Sequence, residues 1–195
     1  MTSQTAQTDG VDAAHDVVEF LIGQHMQIRD LFTEVEKSTG KARRDAFERL
    51  VKLLAVHETA EEQLIHPLVR AGVHGGGDIV DDRLAEEREA KEMLAKLEDA
   101  GPDSNEFPLL LAKLRVSVLT HAHHEEAYEF RYLRREVAAS ELQPLVSMVR
   151  AAEAVAPTHP HPGVESATAN TVAGPVASLF DRTKDMVREA MSADR

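Results

Sequence analysis

The feature that most constrains the fold is an apolar stripe with two polar interruptions on one long helical segment. Apolar residues recur there at alternating steps of three and four, which is the period of one helix face. The stripe consists of Phe47, Leu50, Leu54, His57, Glu61, Leu64 and Leu68. Burying a histidine and a carboxylate costs free energy unless they are paired, hydrogen-bonded or bound to a metal. We therefore expect His57 and Glu61 to meet partners on other helices.

The composition favours an all-α protein. The chain has 195 residues, 43% of them hydrophobic, which is enough for one domain with a real core. Ala, Leu, Glu and Arg dominate, and β-branched runs are scarce. A net charge of -12 argues against a nucleic-acid surface and against anionic membranes. No apolar run approaches the roughly 20 residues that span a bilayer, so we expect a cytoplasmic protein.

The absence of cysteine excludes several kinds of chemistry. Without a thiol the chain cannot form disulfides, use a thiolate nucleophile, or hold zinc or iron–sulfur clusters through sulfur. Any metal site must therefore be built from histidine and carboxylate side chains.

Four amphipathic segments are predicted to form helices, at about residues 12–37, 42–70, 79–99 and 106–137. Their short connections predict an antiparallel up-down-up-down four-helix bundle. We expect Gly40 to cap the end of the first helix, and Asp103 or Ser104 to cap the start of the fourth. Pro67 is expected to kink the second helix or to sit in a tightened last turn.

The complete chain is predicted to have four parts. Residues 1–11 form a disordered N-terminal tail, and residues 12–155 form the bundle with a short fifth helix at about 140–155. Residues 156–174 form a linker that contains proline and glycine. Residues 175–195 form a C-terminal amphipathic helix. The fold class is thus an all-α four-helix bundle with additional C-terminal helices.

Each of the four stripes is interrupted by at least one residue that can bind a metal. These residues are His25 on the first helix, His57 and Glu61 on the second, Glu87 on the third, and His121 and Glu125 on the fourth. Bundle-core metal sites are assembled in this way from facing helices. Imidazole and carboxylate without sulfur suit iron, manganese or zinc. Six ligands are too many for one zinc but suit two metals, which Glu61 and Glu125 can bridge.

A buried polar network without a metal is the alternative, and it would be costly. Other polar residues lie close to the six in sequence. The acids Glu58, Glu62 and Glu126 are expected to be solvated or to orient ring N–H donors, as is His124. Tyr128 is placed on the core stripe of the fourth helix, whereas His66 and His74 are expected at the surface.

The second and fourth helices carry the same motif. His57-x3-Glu61-Glu62 matches His121-x3-Glu125-Glu126, and a lone histidine, His25, precedes them within GQHMQIRDLF. With the four-helix pattern, these motifs resemble the hemerythrin-like (HHE cation-binding) family over about residues 14–138. The resemblance implies a non-haem di-iron centre inside the bundle. It also implies the metal ligands His25, His57, Glu61, His121 and Glu125.

The third helix departs from the family pattern. A histidine usually stands where this chain has Glu87, so we expect three histidine and three carboxylate ligands. Members of the family bind or react with dioxygen, nitric oxide or peroxide, and some sense oxygen or iron. An added carboxylate should favour ferric iron, as in oxidative di-iron enzymes. It therefore favours peroxide or nitric oxide chemistry, or metal handling, over reversible oxygen carriage.

The resemblance sets the expected cofactor and partners. We expect two iron ions, with manganese also suited to the ligands, and a small diatomic or peroxide ligand. No nucleic acid or membrane partner is expected. Catalase- or peroxidase-like turnover is one form that the reaction could take. The alternative is an oxygen or iron sensor, or an iron-buffering protein, without turnover.

Overall fold

The computed structural model describes residues 14–159, which form five helices and no strand. Helix α1 is Val17–Lys37, α3 is Gly76–Ala100 and α5 is Ala139–Val155. Helix α2 covers 40–72 and joins Gly40–Ala60, a π-helical turn Glu61–Ile65, and His66–Gly72. Helix α4 covers 107–136 and joins Phe107–His124, a π-helical turn Glu125–Phe130, and Arg131–Glu136. The predicted all-α bundle is confirmed, and α5 packs on α1 and α2.

Side chains and backbone geometry explain where the helices begin and end. The Asp16 carboxylate accepts a hydrogen bond of 2.8 Å from the Glu19 N–H and caps α1. The Ser104 hydroxyl accepts one of 3.2 Å from the N–H of Phe107, the first residue of α4, although the N-cap position itself is taken by Glu106. The role predicted for Gly40 is wrong. Ser38 ends α1, and Gly40, with φ +55°, is the first residue of α2.

Pro67 does not tighten the end of α2. It follows a turn that is widened to π-helical geometry, and the helix then continues to Gly72. In a regular α-helix the proline ring would clash with the carbonyl four residues earlier. Widening the preceding turn removes that clash, so the helix survives the proline.

The second π-helical turn moves the side chains of α4 that follow it. A π-turn adds a residue to one turn of helix, so later side chains rotate away from their α-helical positions. Tyr128, which we expected in the core, is 52% exposed. Glu129, Phe130 and Leu133 are buried instead, so the core position predicted for Tyr128 is wrong.

The core consists of two apolar clusters with a polar layer between them. One cluster gathers Leu21, Leu64, Phe130, Leu133 and the buried face of α5. The other gathers side chains from α1 to α4 in the opposite half of the bundle, among them Phe32, Leu50, Leu97, Phe107 and Leu114. The histidines and carboxylates of the four stripes lie in the layer between. Apolar packing on both sides keeps water from that layer.

No helix in residues 14–159 is both long enough and apolar enough to cross a membrane. The predicted N-terminal tail (1–11) and C-terminal helix (175–195), with nearly all of the predicted linker (156–174), lie outside the described residues. These divisions of the chain stay predictions.

Candidate metal centre

The six residues predicted from the stripes are all buried in the polar layer, each at most 3% exposed. The structure brings them together in two adjacent groups. In the first group, donor atoms of His25, His57, Glu61 and Glu125 lie within 4.8 Å of one another. In the second group, donor atoms of Glu58, Glu87 and His121 also lie within 4.8 Å of one another. Glu58 was not predicted as a ligand, yet it is 6% exposed and faces its group from α2.

The three histidines of these groups share one arrangement. The Nδ1–H of His25 donates to Glu126 at 2.9 Å, that of His57 to the Gln24 side-chain oxygen at 2.9 Å, and that of His121 to Glu86 at 3.0 Å. Each Nε2 is then the ring nitrogen that faces the carboxylates of the site. A partner on one ring nitrogen fixes the tautomer and orientation that metal-binding histidines need at the other.

Glu125 connects the two groups. One of its oxygens lies 3.2 Å from His25 Nε2, and the other lies 3.2 Å from His121 Nε2. Glu125 therefore has the position that the predicted bridging role would need, and that role stays a prediction. The second expected bridge, Glu61, has an oxygen 3.3 Å from His57 Nε2 and lies in the first group.

The buried polar atoms of the site fit a pair of cations. Within residues 14–159, Nε2 of His25 and of His121 has no hydrogen-bond partner. The same holds for Glu58 Oε2 and for both side-chain oxygens of Glu61 and of Glu125. The Glu125 oxygens lie only 3.2 Å from the Nε2 atoms of His25 and His121, but the angles do not suit hydrogen bonds. Leaving so many buried nitrogen and oxygen atoms without a partner costs free energy, and cations between them would remove that cost.

The pKa values also indicate that the buried groups of the site lack suitable partners. Burial and the nearby Glu125 raise the pKa of Glu61 well above its usual range, and burial with Glu87 raises that of Glu58 to about 8. Burial, and then repulsion by His25, lowers the pKa of His57 to about 3. Burial opposes ionisation of Glu125 as well, yet contacts with His121 and His25 hold its pKa well below the usual range. Positive charge at the centre would lower the pKa of Glu58 and of Glu61 and so favour their ionised forms.

Glu87, the donor predicted on α3, has its own support. It is fully buried, as its stripe predicted, and one oxygen lies 2.6 Å from His66 Nε2. The other ring nitrogen, Nδ1 of His66, lies 2.9 Å from Glu129 on α4. Contact with His66 holds the pKa of Glu87 at about 2 against the effect of burial, and the two carboxylates raise that of His66 well above its usual range.

The surface position expected for His66 is therefore wrong. Its side chain is 2% exposed and lies below the site between two carboxylates. Residue 66 follows the π-turn of α2, so an α-helical projection gives it the wrong direction. His74, also expected at the surface, is exposed.

An outer layer of polar contacts surrounds the donors. Glu86 on α3 is shared by His121 and by His124, whose Nδ1 lies 2.7 Å away. Contacts with His121 and Arg83 hold the pKa of Glu86 at about 2, although partial burial opposes this. Glu126 accepts from the His25 ring and so orients it, which is one of the two roles expected for Glu126. Glu62 behaves differently, because it is buried and forms an ion pair with Lys91.

Gln24 links the centre to the fifth helix. It accepts a hydrogen bond from His57 and donates one of 2.6 Å from its amide to Glu153 on α5. Sequence reasoning did not identify Gln24. The available signal was its place next to His25 in α1, where its 4% exposure puts it on the inner face.

Comparisons with known proteins agree with the all-α bundle. A family model described as "Hemerythrin HHE cation binding domain" matches residues 16–159. The structure is similar to the crystal structure of a hemerythrin HHE cation binding domain-containing protein from Mycobacterium kansasii. The TM-score is 0.64 at 19% identity, covering 71% of this chain and 85% of the other. At that identity the similarity supports the fold.

A curated relative is much longer than the present chain. It is a DNA nickase from Nostoc sp., and it is 26% identical over 151 residues. The match covers 76% of this chain but 42% of the relative, so the chain spans less than half of that protein's length.

Proposed function

The chain belongs to the hemerythrin HHE cation binding domain family, and on that premise we propose that its two donor groups hold a pair of non-haem iron ions. We further propose that the protein binds or reacts with dioxygen, peroxide or nitric oxide. The observation that carries the proposal is the pairing of two buried donor groups across one carboxylate, Glu125, with their unpartnered atoms facing inward.

The donor set is compatible with the proposed iron. It comprises three histidines and four carboxylates, namely His25, His57, His121, Glu58, Glu61, Glu87 and Glu125. Seven donors exceed the four of a structural zinc site, and the lack of sulfur removes the soft metals. Four carboxylates also balance the charge of two divalent ions. Among the metals that suit imidazole and carboxylate, we propose iron, with manganese as the alternative.

The protein side chains define what the site can do. When bound, a pair of irons supplies redox and Lewis-acid chemistry toward small oxygen and nitrogen ligands. The apolar clusters above and below exclude water, and Glu126, Gln24 and Glu86 hold the three imidazoles in place. The carboxylate-rich set favours oxidised iron. We therefore propose reaction with peroxide or nitric oxide over reversible oxygen carriage.

A metal count with a visible spectrum tests the proposal. Protein from iron-supplemented cells should contain about two irons per chain and absorb in the visible range in air. Glu125→Gln should lower the count, because the neutral amide keeps only one oxygen and cannot offer an oxygen to both groups. Glu92→Gln, on the exposed face of α3, is the matched control and should retain both irons. A folded wild-type chain with less than one iron or manganese would sink the proposal.

Turnover separates two versions of this function. If the protein is an enzyme, the loaded wild type should consume hydrogen peroxide, alone or with a reductant, and Glu125→Gln should not. A fully loaded protein that consumes none would instead support a sensor or an iron-buffering role without turnover.

We propose that the present chain does not share the action on DNA that the name of the nickase states. The net charge of -12 repels phosphates, and the aligned part is a minority of that relative. Loaded protein incubated with supercoiled plasmid should leave it uncut. Metal-dependent nicking that Glu125→Gln abolishes would overturn this part of the proposal.

A further inference from the structure

The fifth helix ends a chain of hydrogen bonds that begins at the metal centre. The buried face of α5 consists of Leu142, Leu145, Val149 and Ala152. This face packs on α1 and α2 and so holds the helix in place. Glu153 is half-buried at the edge of the same face. Its carboxylate accepts a hydrogen bond of 2.6 Å from the amide nitrogen of Gln24, whose oxygen accepts from His57. Glu153 therefore lies two hydrogen bonds from a donor of the first group.

The histidines of the two donor groups differ in the kind of oxygen that orients them. The rings of His25 and His121 donate to carboxylates. An ionised carboxylate only accepts hydrogen bonds, so it presents an acceptor whichever way it turns. The ring of His57 donates instead to the amide of Gln24, and an amide has one end that accepts and one that donates. Of these three histidines, His57 therefore depends on the direction in which its partner is turned.

Reversal of the Gln24 amide would block the first donor group. In the observed direction the amide oxygen accepts from Nδ1 of His57, and Nε2 faces Glu61 at 3.3 Å. In the reversed direction the NH2 group would donate to Nδ1, and the hydrogen of the neutral ring would move to Nε2. A ring nitrogen that carries a hydrogen cannot bind a cation. The direction of this amide therefore decides whether His57 can serve as a ligand.

We propose that Glu153 is a positioning residue for the metal centre, because its carboxylate fixes the direction of the Gln24 amide and so keeps the hydrogen of His57 on Nδ1. An ionised carboxylate has no hydrogen to donate, so only the NH2 end of the amide can face it. Gln24 is 4% exposed, so bulk water does not replace this contact. The effect on metal affinity rests on the proposed function, whereas the effect on the His57 ring does not.

The tautomer of each histidine in the metal-free, full-length protein tests the proposal. Long-range proton–nitrogen NMR distinguishes a ring that carries its hydrogen on Nδ1 from one that carries it on Nε2. The spectra are recorded at mildly alkaline pH, because burial raises the pKa of Glu153. Glu153→Gln keeps the size of the side chain but adds a donor, so His57 should populate both tautomers while His25 and His121 keep theirs. Glu92→Gln, on the exposed face of α3, is the control and should change none of the three.

A double variant that exchanges the two partners, Gln24→Glu with Glu153→Gln, is the sharper test. The carboxylate at position 24 would accept from His57 in either direction, and the amide at position 153 would donate to it. The Nδ1–H tautomer should therefore return. Calorimetric titration of the metal-free protein with iron(II), without oxygen, should follow the same pattern. Glu153→Gln should weaken one of the two binding steps by roughly 10- to 100-fold, as is typical of residues that orient a ligand, and the exchange should restore it.

The outcomes separate this inference from the proposed function. A His57 ring that keeps its hydrogen on Nδ1 in Glu153→Gln, with unchanged iron affinity, would overturn the role of Glu153 and leave the proposed function intact. Changes at all three histidines, or no recovery in the double variant, would indicate general disturbance and would overturn it too. A folded wild type that binds no iron overturns the proposed function, while the tautomers still decide the role of Glu153. A change confined to His57 that the exchange reverses supports the inference, because lost packing alone cannot produce it.

Discussion

His66 offers the strictest test of how the site is supported. Its ring joins Glu87 at 2.6 Å and Glu129 at 2.9 Å, and all three side chains are buried. His66→Leu keeps an apolar volume of similar size but removes both contacts. In the metal-free protein two buried carboxylates then lose their shared partner. Breaking a buried ion pair on one side costs about 3–5 kcal/mol, so we expect a loss of that order in the free energy of unfolding.

Metal should reduce the damage in His66→Leu. Once a cation neutralises Glu87, the loss is confined to the hydrogen bond with Glu129, worth about 1.5–3 kcal/mol for a charged group. Urea unfolding of wild type and variant, metal-free and at equal metal excess, measures both differences. We also expect the metal count to fall from about two toward one, because Glu87 is no longer held in place. The exposed His74→Leu is the control. Losses below about 1 kcal/mol in both states would refute the reasoning.

Three further predictions concern pH, packing and the revised register of α4. The folded-state pKa of Glu58, about 8, exceeds its unfolded value, so its contribution is present at low pH and is lost as pH rises toward 8. Urea unfolding should therefore show metal-free protein becoming less stable between pH 6.5 and 8, with a shallower slope in Glu58→Gln. Gly76→Ala should cost about 1–3 kcal/mol, because its new methyl would meet backbone atoms, whereas Gly77→Ala meets none within 4 Å; thermal unfolding compares them. Tyr128→Ala should leave stability within about 0.5 kcal/mol of wild type in urea, whereas Glu129→Ala should destabilise the fold.

Helical periodicity accounts for what the sequence could predict. The 3.6-residue period identified four stripes, and all six polar interruptions on them are buried in one layer. Burial of Glu87, on a helix with many exposed acids, follows from the same spacing. A stripe also shows where a buried polar side chain needs a partner, because His57 and Glu61 stand at positions that apolar residues would otherwise fill.

A single stripe could not reveal every donor. Glu58 is adjacent to His57 in sequence, so it lies about 100° around the helix and off the stripe. It is buried because the site is wider than one helix face: His57 lies in the first group and Glu58 in the second. Two groups side by side require donors from two neighbouring faces of α2. The His-Glu dipeptide was visible in the sequence, but its second member was taken for an accessory residue.

The two π-turns explain why helical periodicity gave wrong positions farther along α2 and α4. They begin at the motif glutamates, Glu61 and Glu125, and the errors at His66 and Tyr128 lie within or just after them. Periodic projection assumes one pitch throughout a helix. Pro67 gave a warning in α2, whereas α4 has no proline in its π-turn.

The π-turns also change how the carboxylate on α3 is understood. After the motif, α2 supplies His66 and α4 supplies Glu129, and these two residues meet each other beneath Glu87. The histidines of the two donor groups, His25, His57 and His121, each donate from Nδ1 to a carboxylate or amide oxygen. A histidine in place of Glu87 would face a protonated His66, which has no acceptor to offer. A carboxylate there accepts from His66 instead, so Glu87 and His66 form one matched pair. The departure from the family pattern on α3 is therefore compensated on α2, and exchanging Glu87 for histidine alone should weaken the site it was expected to complete.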